Sequence, residues 1–108
     1  MTADVAPLES HSSPRWLKSY PEGVVWRQTF EPQPLYTLLD KAVARFGNRP
    51  ATNFLGKTMT YAELGRQVEK AAAGLQKLGV RKGTKVGLFL PNSATFIVYY
   101  YAVLKAGG

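Results

Sequence analysis

The chain has 108 residues and carries 14 Lys and Arg against 7 Asp and Glu, which gives a net charge of +7. Apolar residues make up 45% of it, enough for a hydrophobic core and too many for a disordered chain. The sequence has no cysteine, which excludes a disulfide framework, a cysteine-ligated metal and thiol catalysis. We therefore predict a soluble, basic α/β domain, or a part of a longer protein.

The first 34 residues differ from the rest in composition. Residues 1–14 are rich in Ser and Pro, which is typical of a tail, and the single histidine there, His11, has no second ligand beside it and is predicted to be solvated. Residues 15–34 combine prolines, which disfavour a helix, with apolar residues that disfavour full exposure. We predict that this arm, residues 15–34, is extended and lies on another surface. Its apolar residues are Trp16, Leu17, Tyr20, Val24, Val25, Trp26 and Phe30.

A helix and a hairpin are predicted next. Apolar residues recur at helical spacing over residues 35–46, followed by glycine and proline, which are typical of a helix end. Segments 51–55 and 57–60 then flank Gly56, which predicts a short hairpin around a tight turn. These elements begin the part of the chain, residues 35–108, that we expect to fold. It carries eleven bases and three acids, a net charge of +8.

The second predicted helix starts from a capping box. Thr60 and Glu63 have the spacing at which each side chain bonds the backbone N–H of the other residue. An apolar stripe follows, and Gly79 is a natural stop. The stripe consists of Leu64, Val68, Ala71, Ala72, Leu75 and Leu78.

The last third of the chain predicts a turn, a strand and a helix. Residues 81–84 form the turn, and the unalternating apolar run in 85–90 is typical of a parallel strand covered on both faces. Ser93 is the predicted N-cap of a third helix that runs to Lys105, and Gly107 caps its end.

The third helix is apolar in every direction over residues 96–104, so we expect it to be buried on all sides. This run is well short of the ~18 residues of a membrane span, and no signal-peptide pattern precedes it, so we predict a cytoplasmic protein. A chain of this length can hardly surround such a helix. We therefore expect the sequence to be the front of a longer protein.

Each candidate for chemistry has a structural explanation. The capping box accounts for Glu63, and Glu69 is predicted to form a surface ion pair with Arg66 or Lys70. Residues 82–84, Lys-Gly-Thr, resemble the end of a phosphate loop but have the wrong order and no upstream glycine, so a turn is favoured.

Neither the basic residues nor the tyrosines indicate a specific function. No nucleic-acid-binding signature accompanies the positive charge, so no nucleic-acid partner is predicted, and weak attraction to an anionic membrane is at least as well supported. Residues 99–101, three tyrosines, point in different directions on a helix and are predicted to pack in the core. The residues alone reveal no active site. Two groups of cations are expected to cluster: Arg81, Lys82 and Lys85, and Arg45, Arg49 and Lys57.

The order of the segments resembles a known family. Residues 60–107 are similar to the opening of the adenylate-forming superfamily, and the arm resembles the amino terminus of bacterial long-chain fatty-acid–CoA ligases. The segments that carry the resemblance are Pro14–Val24, Arg49–Ala51, Met59–Leu64, Leu75–Leu88, Leu90–Ser93 and Ala102–Gly107.

The resemblance implies an α/β fold, the N-terminal part of the large domain, with a short hairpin, a parallel-type strand and three helices. It implies a parent enzyme that joins a fatty acid to CoA through an acyl-adenylate and uses Mg, ATP and CoA. The family's phosphate loop, adenylate motif, ribose-binding Asp and catalytic Lys have no counterpart in this sequence. We therefore assign no catalytic, cofactor-binding or metal residue, and expect the 108 residues to be an inactive scaffold.

In some long-chain relatives the amino-terminal segment reaches a second subunit. By resemblance, Trp16, Trp26 and Phe30 are candidates for contacts in a homodimer.

A cytoplasmic protein with peripheral contact to the inner membrane is expected. Two alternatives stay open: a CoA ligase for another carboxylic acid, and a stand-alone basic module that binds nucleic acid or anionic lipid.

Overall fold

The computed structural model describes residues 14–108, so the predicted tail and His11 lie outside the described residues. These residues belong to two compact units, one that ends at Pro32 and one that spans Gln33–Gly108. The first unit contains a short 3₁₀ helix. The second is an α/β unit of three helices and one two-stranded antiparallel sheet, which confirms the predicted fold class. The elements are the 3₁₀ helix Arg15–Ser19, α1 (Tyr36–Phe46), β1 (Pro50–Phe54), β2 (Lys57–Thr60), α2 (Tyr61–Lys77) and α3 (Ala94–Ala106).

The hairpin forms as predicted, with Phe54 opposite Lys57 at its closed end. Both turn residues have positive φ, 50° at Leu55 and 82° at Gly56. This is the geometry of a type I′ turn, whose twist matches that of the two strands. The side-chain oxygen of Asn53 accepts a hydrogen bond of 3.1 Å from the backbone N–H of Gly56.

The core lies mainly between α2 and α3, with a smaller contribution from α1. Gly65 of α2 lies so close to α1 that a Cβ atom there would be 3.0 Å from a methyl carbon of Val43. A side chain at Gly65 would therefore force Val43 or the two helices to move apart by a few tenths of an ångström. The buried cluster consists of Leu39, Leu64, Val68, Ala72, Val98, Ala102 and Ala106.

The starts of α2 and α3 differ. Thr60 and Glu63 form both hydrogen bonds of the predicted capping box at the start of α2. Ser93 occupies the predicted N-cap position of α3, but its side chain forms no capping hydrogen bond. Gly107 ends α3 with a φ of 101°, a conformation that glycine adopts without steric cost.

The predicted parallel-type strand at residues 85–90 is not formed, which corrects part of the expected fold. Among the described residues, the only sheet is the hairpin, and the segment has no backbone hydrogen bond to another strand. A strand exists only when a neighbour supplies these bonds, and no described segment does so. Phe89 is fully exposed as a result.

Helix α3 is enclosed on one face only. One face is buried, with Val98 and Ala102 against α2, whereas Tyr99 and Tyr100 are each more than a third exposed. Among residues 14–108, α3 is therefore not buried on all sides, which agrees with the expectation that a chain of this length can hardly surround it. No helix within residues 14–108 is both long and apolar enough to cross a membrane.

Candidate functional site

A groove of about 540 Å³ is formed by residues of the hairpin, α2 and the start of α3. Its walls carry the cations Lys57, Arg66 and Lys70 and one carboxylate, Glu63. Thr52 also lines it, and the hydroxyl oxygen of this residue is buried without a hydrogen-bond partner. An excess of cations in a concave surface favours a negatively charged group over an apolar one.

Sequence reasoning did not identify this groove. It grouped Lys57 with Arg45 and Arg49, whereas Lys57 lines the groove and the two arginines lie over the Phe46 ring, 5.1 and 5.2 Å from its centroid. The available signal was the i, i+4 spacing of Arg66 and Lys70, which places two cations on one face of α2. The hairpin and the start of α3 form the rest of the groove, and their position against α2 depends on tertiary packing.

Glu63 caps α2 through one oxygen of its carboxylate. Its Oε2 atom accepts a 2.8 Å hydrogen bond from the backbone N–H of Thr60, and the Thr60 hydroxyl accepts one of 3.2 Å from the Glu63 N–H. The backbone hydrogen bond, followed by the bond from the Thr60 side chain, holds the pKa of Glu63 below its ordinary value. The structural explanation of this residue is therefore confirmed.

Glu69 does form an ion pair, but with Lys105 of α3 and not with Arg66 or Lys70 as predicted. Lys105 also binds Asp40 of α1 at 2.6 Å, so one ammonium group joins all three helices. Burial disfavours the charged form of Lys105, but the hydrogen bonds and charges of the two carboxylates outweigh it and raise its pKa. The prediction missed this partner because it considered only neighbours on the same helix.

Residues 81–84 form the predicted turn and not a phosphate loop. The Thr84 N–H donates to the Arg81 carbonyl at 2.9 Å, and Gly83 has a φ of 89°, as a type II turn requires. Of the three tyrosines, Tyr101 packs against the buried cluster, so the prediction of core packing holds for that residue alone.

The aromatic residues of the arm are brought together within the first unit. The Trp16 and Trp26 rings meet edge to face with centroids 4.1 Å apart, and Tyr20 lies 5.7 and 5.9 Å from them. We call Trp16, Tyr20 and Trp26 the aromatic cluster. Phe30 is 75% exposed and takes no part in it. The predicted dimer contacts of Trp16, Trp26 and Phe30 stay a prediction.

No ligand set for magnesium is found within residues 14–108, where no three His, Cys, Asp or Glu residues lie close enough to hold a metal ion. The described residues therefore do not fit the metal that the resemblance implies for the parent enzyme. We derive no reaction step through it.

Comparison with known proteins gives the family. Residues 39–108, more than half of the chain, match the family described as AMP-binding enzyme. The chain belongs to the AMP-binding enzyme family. This confirms the resemblance to adenylate-forming enzymes and to acyl-CoA ligases among them.

This AMP-binding chain has relatives of more than one name. It is 36% identical over 93 residues to the long-chain-fatty-acid–CoA ligase of Bacillus subtilis (strain 168), which covers 86% of this chain and 17% of the ligase. It is 34% identical over 94 residues to the enzyme of the same name from Escherichia coli O157:H7, covering 85% and 17%. It is 41% identical over 75 residues to Triostin synthetase I of Streptomyces triostinicus, covering 69% and 14%. The chain thus spans at most 17% of the length of these relatives.

Proposed function

We propose that this chain is the N-terminal scaffold of the large domain of a long-chain fatty-acid–CoA ligase. One observation carries the proposal. A match of 93 residues to the Bacillus subtilis ligase leaves only 15 of the 108 residues outside it, so it necessarily spans residues 16–93 and includes most of the arm. The 75-residue match to Triostin synthetase I need not reach the arm. The arm therefore favours the fatty-acid ligases over other members of the family.

The proposed reaction of the whole enzyme has two steps. The carboxylate of a fatty acid attacks the α-phosphate of ATP, and pyrophosphate leaves. The thiol of CoA then attacks the acyl carbonyl, and AMP leaves. Both steps need charge neutralisation and accurate positioning of the reacting groups. None of the described residues is assigned to either step, and the proposed contribution of this chain is to hold the first elements of the large domain in place.

The ion pairs that join the three helices are consistent with a scaffold role. Lys105 fixes α3 to Asp40 of α1 and Glu69 of α2, and the buried cluster fills the space between the helices. The second candidate is a CoA ligase for another carboxylic acid, because the matches also include a synthetase that is not named a fatty-acid ligase, Triostin synthetase I. A cytoplasmic location belongs to the same proposal.

Reading the source frame past Gly108 and assaying its product tests the proposal. The frame is expected to continue into a Ser/Thr/Gly-rich loop that ends in Pro-Lys. The purified product should release AMP from ATP with palmitate and CoA, and much less with acetate or an amino acid. The 108-residue chain is the matched control, and it should release none. A stop codon after Gly108 would exclude a ligase. AMP release with acetate or an amino acid in place of palmitate would favour the second candidate.

A further inference from the structure

The groove formed by the hairpin, α2 and the start of α3 carries an excess of positive charge. Lys57, Arg66 and Lys70 line it together with one carboxylate, Glu63, so its walls have a net charge of +2. None of the three cations forms an ion pair with another described residue. Cations that share a concave surface attract an anion from solvent more strongly than the same cations on a convex one. We call this surface the basic groove.

The two acids of α2 are engaged elsewhere. Glu69 is bound by Lys105 of α3 and does not line the basic groove. Glu63 accepts the backbone hydrogen bond of Thr60, and this bond, followed by the one from the Thr60 side chain, lowers its pKa. The charge of Arg66 adds the least to that shift. The guanidinium of Arg66 is therefore available to an external anion.

Polar groups without a partner line the same groove. Thr52 contributes a buried hydroxyl oxygen that forms no hydrogen bond, and an unpaired buried hydroxyl costs free energy. Ser93 leaves the cap of α3 unfilled, and no described group accepts a hydrogen bond from the N–H groups of Ala94 and Thr95. These N–H groups lie at the positive end of the helix dipole. Cations and free donors together are the groups that bind phosphate oxygens.

We propose that the basic groove binds the phosphate group of a phosphomonoester through Lys57, Arg66 and Lys70. A phosphomonoester carries close to two negative charges at neutral pH, which matches the net charge of the walls. The volume of about 540 Å³ leaves room for an organic part beside the phosphate, and Phe54, 42% exposed, gives that part an apolar wall. The family's phosphate loop has no counterpart in this sequence, so the groove is a separate site. The proposal does not depend on the ligase activity.

Amide-resolved NMR of the full 108-residue chain tests the proposal, because it reports on each backbone N–H separately. The chain is titrated at constant ionic strength with phenyl phosphate, inorganic phosphate or dimethyl phosphate, the last being a phosphodiester with one charge. The amide signals of Ala94 and Thr95 should shift with saturation. Phenyl phosphate should bind about fivefold more tightly than inorganic phosphate, because its ring buries apolar surface. Dimethyl phosphate should bind most weakly. No ATP, CoA or fatty acid is present, so failure here would leave the proposed ligase untouched.

A change of pH tests the charge of the bound group. The second ionisation of a phosphomonoester has a pKa of about 6, so lowering the pH from about 7.5 to about 5.5 removes most of the dianion. Binding of phenyl phosphate should weaken by about threefold as a result. Glu63 stays ionised over this range because its pKa is lowered. Benzenesulfonate keeps one charge throughout and is the matched control, with unchanged affinity.

Two substitutions on α2 locate the site. Lys70→Met and Lys77→Met each remove one cation from an exposed residue of this helix, but of the two only Lys70 lines the basic groove. Lys70→Met should weaken phenyl phosphate binding about fivefold through the lost charge-assisted hydrogen bond. Lys77 lies two helical turns further on, so Lys77→Met should weaken it by less than about 1.5-fold at moderate salt. Both variants should fold like the wild type, since neither side chain is buried.

Four results would overturn the proposal. The first is an equal response to sodium chloride and to phenyl phosphate, which would show screening without a site. The second is inorganic phosphate that binds as tightly as phenyl phosphate, which would remove the organic part of the ligand. The third is dimethyl phosphate that binds as tightly as either, which would assign the groove to a phosphodiester. The fourth is an equal loss in the two variants, or amide shifts confined to other elements, which would place the anion elsewhere on the chain.

Discussion

The sequence predicts a helix at α2 and a strand at residues 85–90 from equally clear apolar patterns, yet only the helix forms. The start of α2 is fixed by Thr60 and Glu63 three positions apart, and most of its backbone hydrogen bonds are made within the helix itself. Its first two N–H groups donate to carbonyl groups that precede the hairpin. The segment at 85–90 has a comparable apolar run, but a strand receives its hydrogen bonds from a neighbour. A helix with its own cap forms most of its hydrogen bonds internally and needs other elements mainly for packing, whereas a parallel strand needs another element in order to exist.

The largest expected effect on stability comes from a substitution in α2, compared with one in residues 85–90. Leu64→Ala in α2 removes a buried side chain from the core and should lower the free energy of unfolding by about 2–5 kcal/mol. Phe89→Ala removes a larger but fully exposed side chain and should change it by less than about 0.5 kcal/mol. Urea unfolding followed by circular dichroism measures both. A large loss from Phe89→Ala would show that the segment is packed in solution, and the contrast would fail.

A smaller effect tests the ion pair that joins α2 to α3. Because the folded pKa of Lys105 is raised, the folded state holds this proton more tightly than the unfolded chain. The stabilisation is therefore complete below the ordinary value of 10.5 and is lost as the pH rises through the raised pKa. Lys105→Met should cost about 1 kcal/mol at neutral pH. The difference from wild type should shrink in urea titrations at increasing alkaline pH.

Lys77→Met is the matched control for Lys105→Met. It removes the same charge from an exposed residue of α2 that forms no ion pair with any other described residue. We expect a change within about 0.5 kcal/mol, independent of pH. Equal losses from both substitutions would show that net charge, and not the contact with Asp40 and Glu69, determines the effect.

The smallest effect concerns the cap of α2. Thr60→Ala removes one side of the capping box and should cost about 1 kcal/mol or less, and Thr58→Ala at an exposed position of β2 is its control. The pKa of Glu63 is lowered in the folded state, so its contribution is present above the unfolded pKa and is lost as the pH falls through the folded value. Glu63→Gln should flatten this acid dependence, measured by thermal unfolding at decreasing pH. An unchanged slope would exclude Glu63 as its source.

The sequence predicts those features whose causes lie within a few residues. The capping box, the hairpin turn around Gly56 and the left-handed Gly107 all follow from local chemistry, and all three form. The features it missed depend on distant partners. The Glu69–Lys105 ion pair and the basic groove both need α3 placed against α2, and no spacing within one helix specifies that.

The aromatic cluster shows the same limit. The prolines predict an extended arm, and the aromatic residues predict a contact with another surface. The sequence did not indicate that the turn at Gly23 brings Trp26 back to within 4.1 Å of Trp16, since that outcome depends on a single left-handed residue. Contacts among the aromatic rings therefore bury part of their own surface. The aromatic surface that stays exposed is smaller than it would be in a fully extended arm.

The ion pairs of Lys105 impose an order on how this protein is made. Lys105 follows Asp40 by 65 positions and Glu69 by 36, so a ribosome completes α1 and α2 long before their shared cation exists. Until then, two carboxylates that are close enough to share one ammonium face each other with like charge. The packing of the three helices against one another is therefore completed only after Lys105 has been added to the chain.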